Sequence, residues 1–200
     1  MRLVLAALLL AACSKAPEPV ALFIGDSLTA GFGVAPEEAW PALVGEAWAK
    51  RGNGWRARNA GVSGATTAGA LESARWTLTP DVRFVFVCIG GNDGLRATPL
   101  VETNRNVDAL LAEAKKDGRT VVLAGMKIPP NYGASYADGF TALFPALARK
   151  HGVVFMPFLL EGVAADSRYN QPDGIHPNAD GHKKIAETVL AFLDSKGLPK

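Results

Sequence analysis

The chain has 200 residues, enough for one domain with a sizeable core. Hydrophobic residues make up 48% and charged residues 20%, which fits a soluble globular enzyme and excludes a disordered chain. Net charge is +2, from 21 Lys and Arg against 19 Asp and Glu, too small and too scattered for a nucleic-acid binder.

Met1-Arg2 leads an apolar run over 3–12, followed by Cys13-Ser14-Lys15. A short apolar run behind one positive charge reads as an export signal and is well short of a bilayer span. Leu10-Ala11-Ala12-Cys13 resembles the bacterial lipobox, whose cysteine is acylated and becomes the mature N-terminus. The alternative is an ordinary cleaved signal in which Cys13 is incidental. Ser14 after the cysteine resembles lipoproteins sorted to the outer membrane. The expected organisation is a lipoprotein-type signal at 1–12, a tether at 13–19 and one domain at 20–200, exported and lipid-anchored on the periplasmic face. With Cys13 used for the anchor, Cys88 is left in an apolar run as a core thiol, and no internal disulfide is expected.

The domain opens with an apolar run over 20–24, stopped by Gly25-Asp26-Ser27-Leu28-Thr29. This reads as a buried strand and a tight turn at its carboxyl end, where α/β sheets bind ligands. Asp26-Ser27 could equally be a helix cap or a simple turn. It is not the Gly-x-Ser-x-Gly elbow, because Thr29 stands in place of the second Gly. Pro36-Glu37-Glu38 predicts a helix start, with Trp40, Leu43, Val44, Ala47 and Trp48 on its core face up to Gly52. A weak strand candidate at 55–60 ends in Gly61-Val62-Ser63-Gly64, and Thr66-Thr67 caps a helix running to about 78. The run 82–89 reads as a strand buried on both faces and ends in Gly90-Gly91-Asn92-Asp93-Gly94. A helix over 99–116, a strand at 120–124, a loop at 128–133, a helix to about 150 and a strand at 153–155 follow. After an irregular stretch, Asp173-Gly174-Ile175-His176-Pro177 precedes a closing helix over 179–195, capped by Asn178. His151 and His182 read as surface residues.

Strands alternating with helices predict an α/β fold, a parallel sheet of about five strands in a three-layer α/β/α sandwich. Ser27, Gly61 and Asn92 then share the rim at the carboxyl ends of the strands. Ser27 supplies a nucleophile, His176 a base and Asp173 a group to orient the imidazole. The backbone N–H groups of Ser27 and Gly61, with the Asn92 amide, supply oxyanion donors. Singly, each of these turns has a purely structural alternative. No Cys/His cluster and no phosphate loop is present in the sequence, so neither metal nor cofactor is expected.

Gly25-Asp26-Ser27-Leu28-Thr29-Ala30-Gly31, Asn59-Ala60-Gly61-Val62-Ser63-Gly64, Gly90-Gly91-Asn92-Asp93 and Asp173-Gly174-Ile175-His176-Pro177 resemble, in order, the four blocks of the GDSL or SGNH hydrolases. The resemblance spans about 20–193. It implies a flavodoxin-like fold, a Ser27/Asp173/His176 triad and an oxyanion hole of Ser27, Gly61 and Asn92. Ala39-Trp40-Pro41-Ala42-Leu43, Gly90 to Arg96 and Pro130-Asn131-Tyr132-Gly133 are similar to the periplasmic thioesterase/lysophospholipase/arylesterase subgroup, in which the loop at 128–133 borders the acyl groove. On that likeness Asn131, Tyr132 and Ile175 are expected to touch substrate. The lipobox and Ala97 depart from the subgroup.

The function expected is a monomeric serine hydrolase acting on aryl esters, acyl thioesters and lysophospholipids through an acyl-enzyme. A carbohydrate O-acetyl esterase is the alternative among enzymes, and a non-catalytic ligand-binding lipoprotein the alternative outside them.

Overall fold

The computed structural model describes residues 18–200, so the expected signal at 1–12 and Cys13 lie outside the described residues. β1 (Val20–Gly25) is apolar and buried at every position. It runs straight into α1 (Ser27–Ala30), a single helical turn. Then come α2 (Trp40–Arg51), β2 (Arg56–Gly61), α3 (Thr67–Thr77), β3 (Val82–Cys88), α4 (Gly91–Leu95), α5 (Leu100–Ala114), β4 (Thr120–Ala124), α6 (Ala134–His151), β5 (Val154–Met156) and α7 (Ala179–Ser195). The five strands form one parallel sheet in the order β2-β1-β3-β4-β5, as expected.

Right-handed crossovers place α2 on one face when the chain steps from β1 to β2, and α3, α5 and α6 on the other when it steps back across the sheet. The packing agrees: α7 lies against α2, while α3, α5 and α6 pack in a row. Chain direction therefore reverses beside β1, and the crevice at the carboxyl ends of β1 and β3 is the topological switch point. Ser27 leaves β1 there, and Asn92 follows β3. The β1–β2 register sets Gly25 opposite Gly61, which brings the third expected turn alongside.

β2 looked weak in the sequence because it is an edge strand, with Arg56 and Arg58 reaching Asp81 rather than a core. In the core, Phe23 meets Trp40 edge-on at 5.1 Å and Phe86 at 5.9 Å, and all three are fully buried. Cys88 is a free buried thiol, pushed up by burial.

Three expectations need correction. Pro36–Glu38 is a separate 3-10 turn, and Ala39 is extended before α2 begins at Trp40. A continuous helix would set the ring of Pro41 against the carbonyl of Glu37 and leave that carbonyl without a donor. His182 is fully buried: its Nδ1 accepts the Trp40 N–H at 3.3 Å, joining α7 to the start of α2. His151 is also largely covered, with its Nε2 2.7 Å from Asp108.

Candidate active site

Asp26 caps α1 by accepting the Leu28 N–H at 3.0 Å, which fixes Ser27 as the first helical residue. The Ser27 N–H therefore has no partner within its own helix. Trp40 Nε1 donates to the Leu28 carbonyl at 3.0 Å, and Asn59 Nδ2 to the Thr29 carbonyl at 2.8 Å, so the turn is pinned from two sides.

His176 reaches this turn from the long connection between β5 and α7. Its Nε2 lies 2.9 Å from Ser27 Oγ, and its Nδ1 lies 2.8 Å from Asp173 Oδ2. An ionised carboxylate can only accept, so Nδ1 carries the proton and Nε2 is left to accept from the serine hydroxyl. Asp173 Oδ1 in turn accepts the N–H groups of Ile175 and His176, each at 3.0 Å. The His176 N–H is the main cause, followed by the imidazole and the Ile175 N–H, holding the Asp173 carboxyl down at about 2. Asp173 thus stays ionised throughout the pH range in which a histidine works as a base.

Asn92 Nδ2 donates to the Ala65 carbonyl at 2.9 Å, which occupies one of its two amide protons and leaves the other. The Gly61 N–H is held by Asn59 Oδ1 at 2.9 Å. A Cβ on Gly61 would stand 2.3 Å from the Ala30 nitrogen, so only glycine permits so close an approach to α1.

A cavity of about 390 Å³ opens beside these groups, bordered by Ser27, Asn92 and His176 and running past Met126 and Ile128 to Phe158. Ile175 lines it. Asn131 and Tyr132 do not: the loop lines the cavity with Ile128 and Pro129, while Tyr132 Oη donates to the Leu95 carbonyl at 3.1 Å. Ser27, His176 and Asp173 thus form one hydrogen-bonded line opening on a mainly apolar cavity.

Residues 23–184 match the model of the GDSL-like lipase/acylhydrolase family. The chain belongs to this family. It is 37% identical over 187 residues to an arylesterase of Vibrio mimicus, with 92% of each chain covered. It is 35% identical to thioesterase 1/protease 1/lysophospholipase L1 of Escherichia coli K12, over 86% of this chain and 82% of that one. The crystal structure of TesA superposes with a TM-score of 0.83 at 34% identity, covering 87% of this chain and 97% of that one. The protein is an ester-hydrolysing enzyme of the GDSL family, and among the described residues no helix is long and apolar enough to cross a membrane.

Other residues, to which the sequence analysis gave no role, place this hydrolase's polar groups. Buried Asp93 accepts Thr67 N at 2.8 Å and Thr67 Oγ1 at 2.6 Å, which ties α4, and with it Asn92, to the start of α3. Gln171 Nε2 donates to the Phe32 carbonyl at 2.7 Å and to the Pro177 carbonyl at 3.0 Å. Phe32 in turn lies 4.7 Å from the His176 ring. Asn59, within the second block, bridges β2 and α1.

Two buried groups give the hydrolase opposing pH dependences. Burial lowers His182 from 6.5 to about 4, so the unfolded chain binds more protons between those values and folding gains stability as pH rises through that window. Burial raises Asp26 from 3.8 to about 6, so stability from this group is full below 3.8 and is lost as pH rises to 6. Each effect is on the order of 3 kcal/mol, and in the wild type they offset. His182→Gln, which keeps an acceptor for Trp40 N–H, should therefore lose stability between pH 4 and 6 in urea titrations. An unaltered pH dependence in that variant would show that His182 is not the group responsible.

Proposed function

We propose that Ser27 is the nucleophile, His176 the general base and Asp173 the residue that orients it. Ser27 Oγ attacks the substrate carbonyl and passes its proton to His176 Nε2. The oxyanion is received by the Ser27 N–H and the free Asn92 amide proton, with the Gly61 N–H joining if Asn59 yields it. His176 then protonates the leaving alcohol or thiol, giving the acyl-enzyme. Water adds with the same base and releases the acid and free Ser27.

The observation that carries this reading is the Ser27–His176–Asp173 line at the mouth of the cavity. The apolar lining supports an acyl chain as occupant and favours aryl esters, acyl thioesters and lysophospholipids over glycan acetates. A single chain supplies every group of the site, which supports a working monomer. We also propose that Cys13 carries a lipid anchor to the periplasmic face of the outer membrane, supported by the apolar run at 3–12 and Ser14.

A p-nitrophenyl ester series from acetyl to palmitoyl tests the substrate class. Turnover should rise towards medium chains; activity confined to acetyl would transfer the enzyme to glycan deacetylation. Asn92→Ala should lower kcat by about 10²–10³-fold across the series. Unchanged turnover in that variant would remove Asn92 from the oxyanion hole.

A further inference from the structure

The rim that carries Ser27 is one edge of the sheet, and the opposite edge has a chemistry of its own. The parallel strands begin there, and the five long helices that return from the rim end there. Contacts between distant segments join these ends into one face. Arg51 at the end of α2 pairs with Asp194 near the end of α7 at 2.9 Å. Arg56 at the start of β2 reaches Asp81, just before β3, at 3.6 Å. Arg119, just before β4, donates to the Leu78 carbonyl after α3 at 3.3 Å. The chain also enters the domain on this face: the Arg56 N–H donates to the Pro19 carbonyl and the Val20 N–H to that of Asp81, each at 3.0 Å.

Charge is divided unequally between the two edges. From the last three residues of each long helix to the first two of the next strand, the face comprises 18–21, 49–57, 75–83, 112–121, 149–155 and 193–200. These segments contain 12 Lys and Arg against 5 Asp and Glu, while the other described residues contain 7 against 14. Every one of the 12 except Arg119 is exposed. Arg75, Arg83, Arg149 and Lys196 pair with no carboxylate among the described residues. Helix dipoles favour cations in last turns, but they do not account for an exposed indole. Trp76, in the last turn of α3, is 78% exposed, more than any other large apolar side chain described. An apolar ring with one polar N–H is the side chain suited to the boundary between water and lipid.

We propose that this face docks on an anionic phospholipid surface, with Trp76 among the headgroups and the unpaired cations against phosphates. The acidic excess on the rest of the domain is repelled by the same surface, so a single orientation is favoured. That orientation agrees with the Cys13 anchor proposed above, on which this part of the inference rests. The stretch from Cys13 to Pro19 reaches at most about 20 Å, too little to pass round a domain about 40 Å across. The anchor therefore presents the basic face to the lipid, and Ser27 lies beyond it by about 20 Å, the length of β1. The cavity opens away from the membrane that holds the enzyme, and its esters arrive from the aqueous side.

The test places the processed protein on phosphatidylcholine vesicles, with and without phosphatidylglycerol, whose acyl chains are brominated next to the headgroups. Emission from Trp76, taken as the difference from Trp76→Phe, should be quenched on the anionic vesicles and not on the zwitterionic ones. Arg75→Gln with Arg83→Gln should lower the ratio of docked to undocked protein about 30-fold. Its turnover of p-nitrophenyl butyrate should equal that of the wild type, since Gln keeps a donor for the Pro80 carbonyl that Arg83 holds. Protein that stays on the anionic vesicles with Trp76 unquenched would overturn the docking face and leave the anchor standing. Should mass spectrometry find Cys13 unacylated, the anchor fails by itself and flotation with the same vesicles decides the face. Retention on anionic vesicles that the double variant weakens about 30-fold would then support it. No retention, or retention that ignores the double variant, would overturn it.

Discussion

Ser27→Ala should lower kcat for p-nitrophenyl esters by about 10⁴–10⁶-fold while leaving the melting temperature close to that of the wild type. His176→Ala should do nearly as much damage, and the double variant little more than either single one. Ser27 Oγ and His176 Nε2 are 2.9 Å apart and share one proton, so removing either partner ends the same transfer. Effects that multiplied in the double variant would indicate two independent contributions and would sink the proton-transfer pair. Asp173→Asn should be milder, about 10⁴-fold, because an amide presented to Nδ1 favours the wrong tautomer but leaves the base in place. Its side chain is also partly exposed, so water can fill some of its role.

Some of this geometry was legible because it depends on local patterning. β3 and β4 are apolar runs with β-branched residues, and α7 carries Ile185, Val189 and Leu193 on one buried face behind an Asn178 cap that accepts the Gly181 N–H at 2.9 Å. The rim followed from strand alternation, since parallel strands deliver their carboxyl-end turns to one side. What was not legible depends on contacts between segments far apart in the chain. His182 sits beside Lys183 and Lys184 and read as part of a solvated face, yet α2 covers it through a partner 142 residues away. Nothing near Asp26 in the sequence shows that the Gly91 turn closes over it. Gln171 falls between the irregular stretch and the Asp173 block, and its link to Phe32 spans 139 residues. The start of α2 was a different case: Pro41 marked it, and the acids at Glu37 and Glu38 drew the boundary too early.

Gly61→Ala should lower kcat/KM by at least about 10²-fold although it retains the backbone N–H. The added Cβ would lie 2.3 Å from the Ala30 nitrogen and 2.7 Å from the Thr29 carbonyl carbon, both backbone atoms with no rotamer to change. α1 has little freedom to retreat, since Trp40 and Asn59 hold its carbonyls at 3.0 and 2.8 Å and Thr29 is fully buried. The displacement therefore falls on the turn that carries Ser27, and a shift near 1 Å costs about 10²-fold in a reaction that depends on alignment. Overpacking of this kind also costs about 1–3 kcal/mol, a drop of several degrees in Tm for a chain of this size. Gly64→Ala is the matching control in the same loop. A Cβ there meets nothing within 4 Å, so its φ of +80° brings backbone strain without pushing on α1. A loss in Gly61→Ala that Gly64→Ala does not share assigns Gly61 to the spacing between β2 and the nucleophile turn. Wild-type kcat/KM in Gly61→Ala would mean that α1 can move without disturbing Ser27, and the rigid placement of the nucleophile would have to be abandoned.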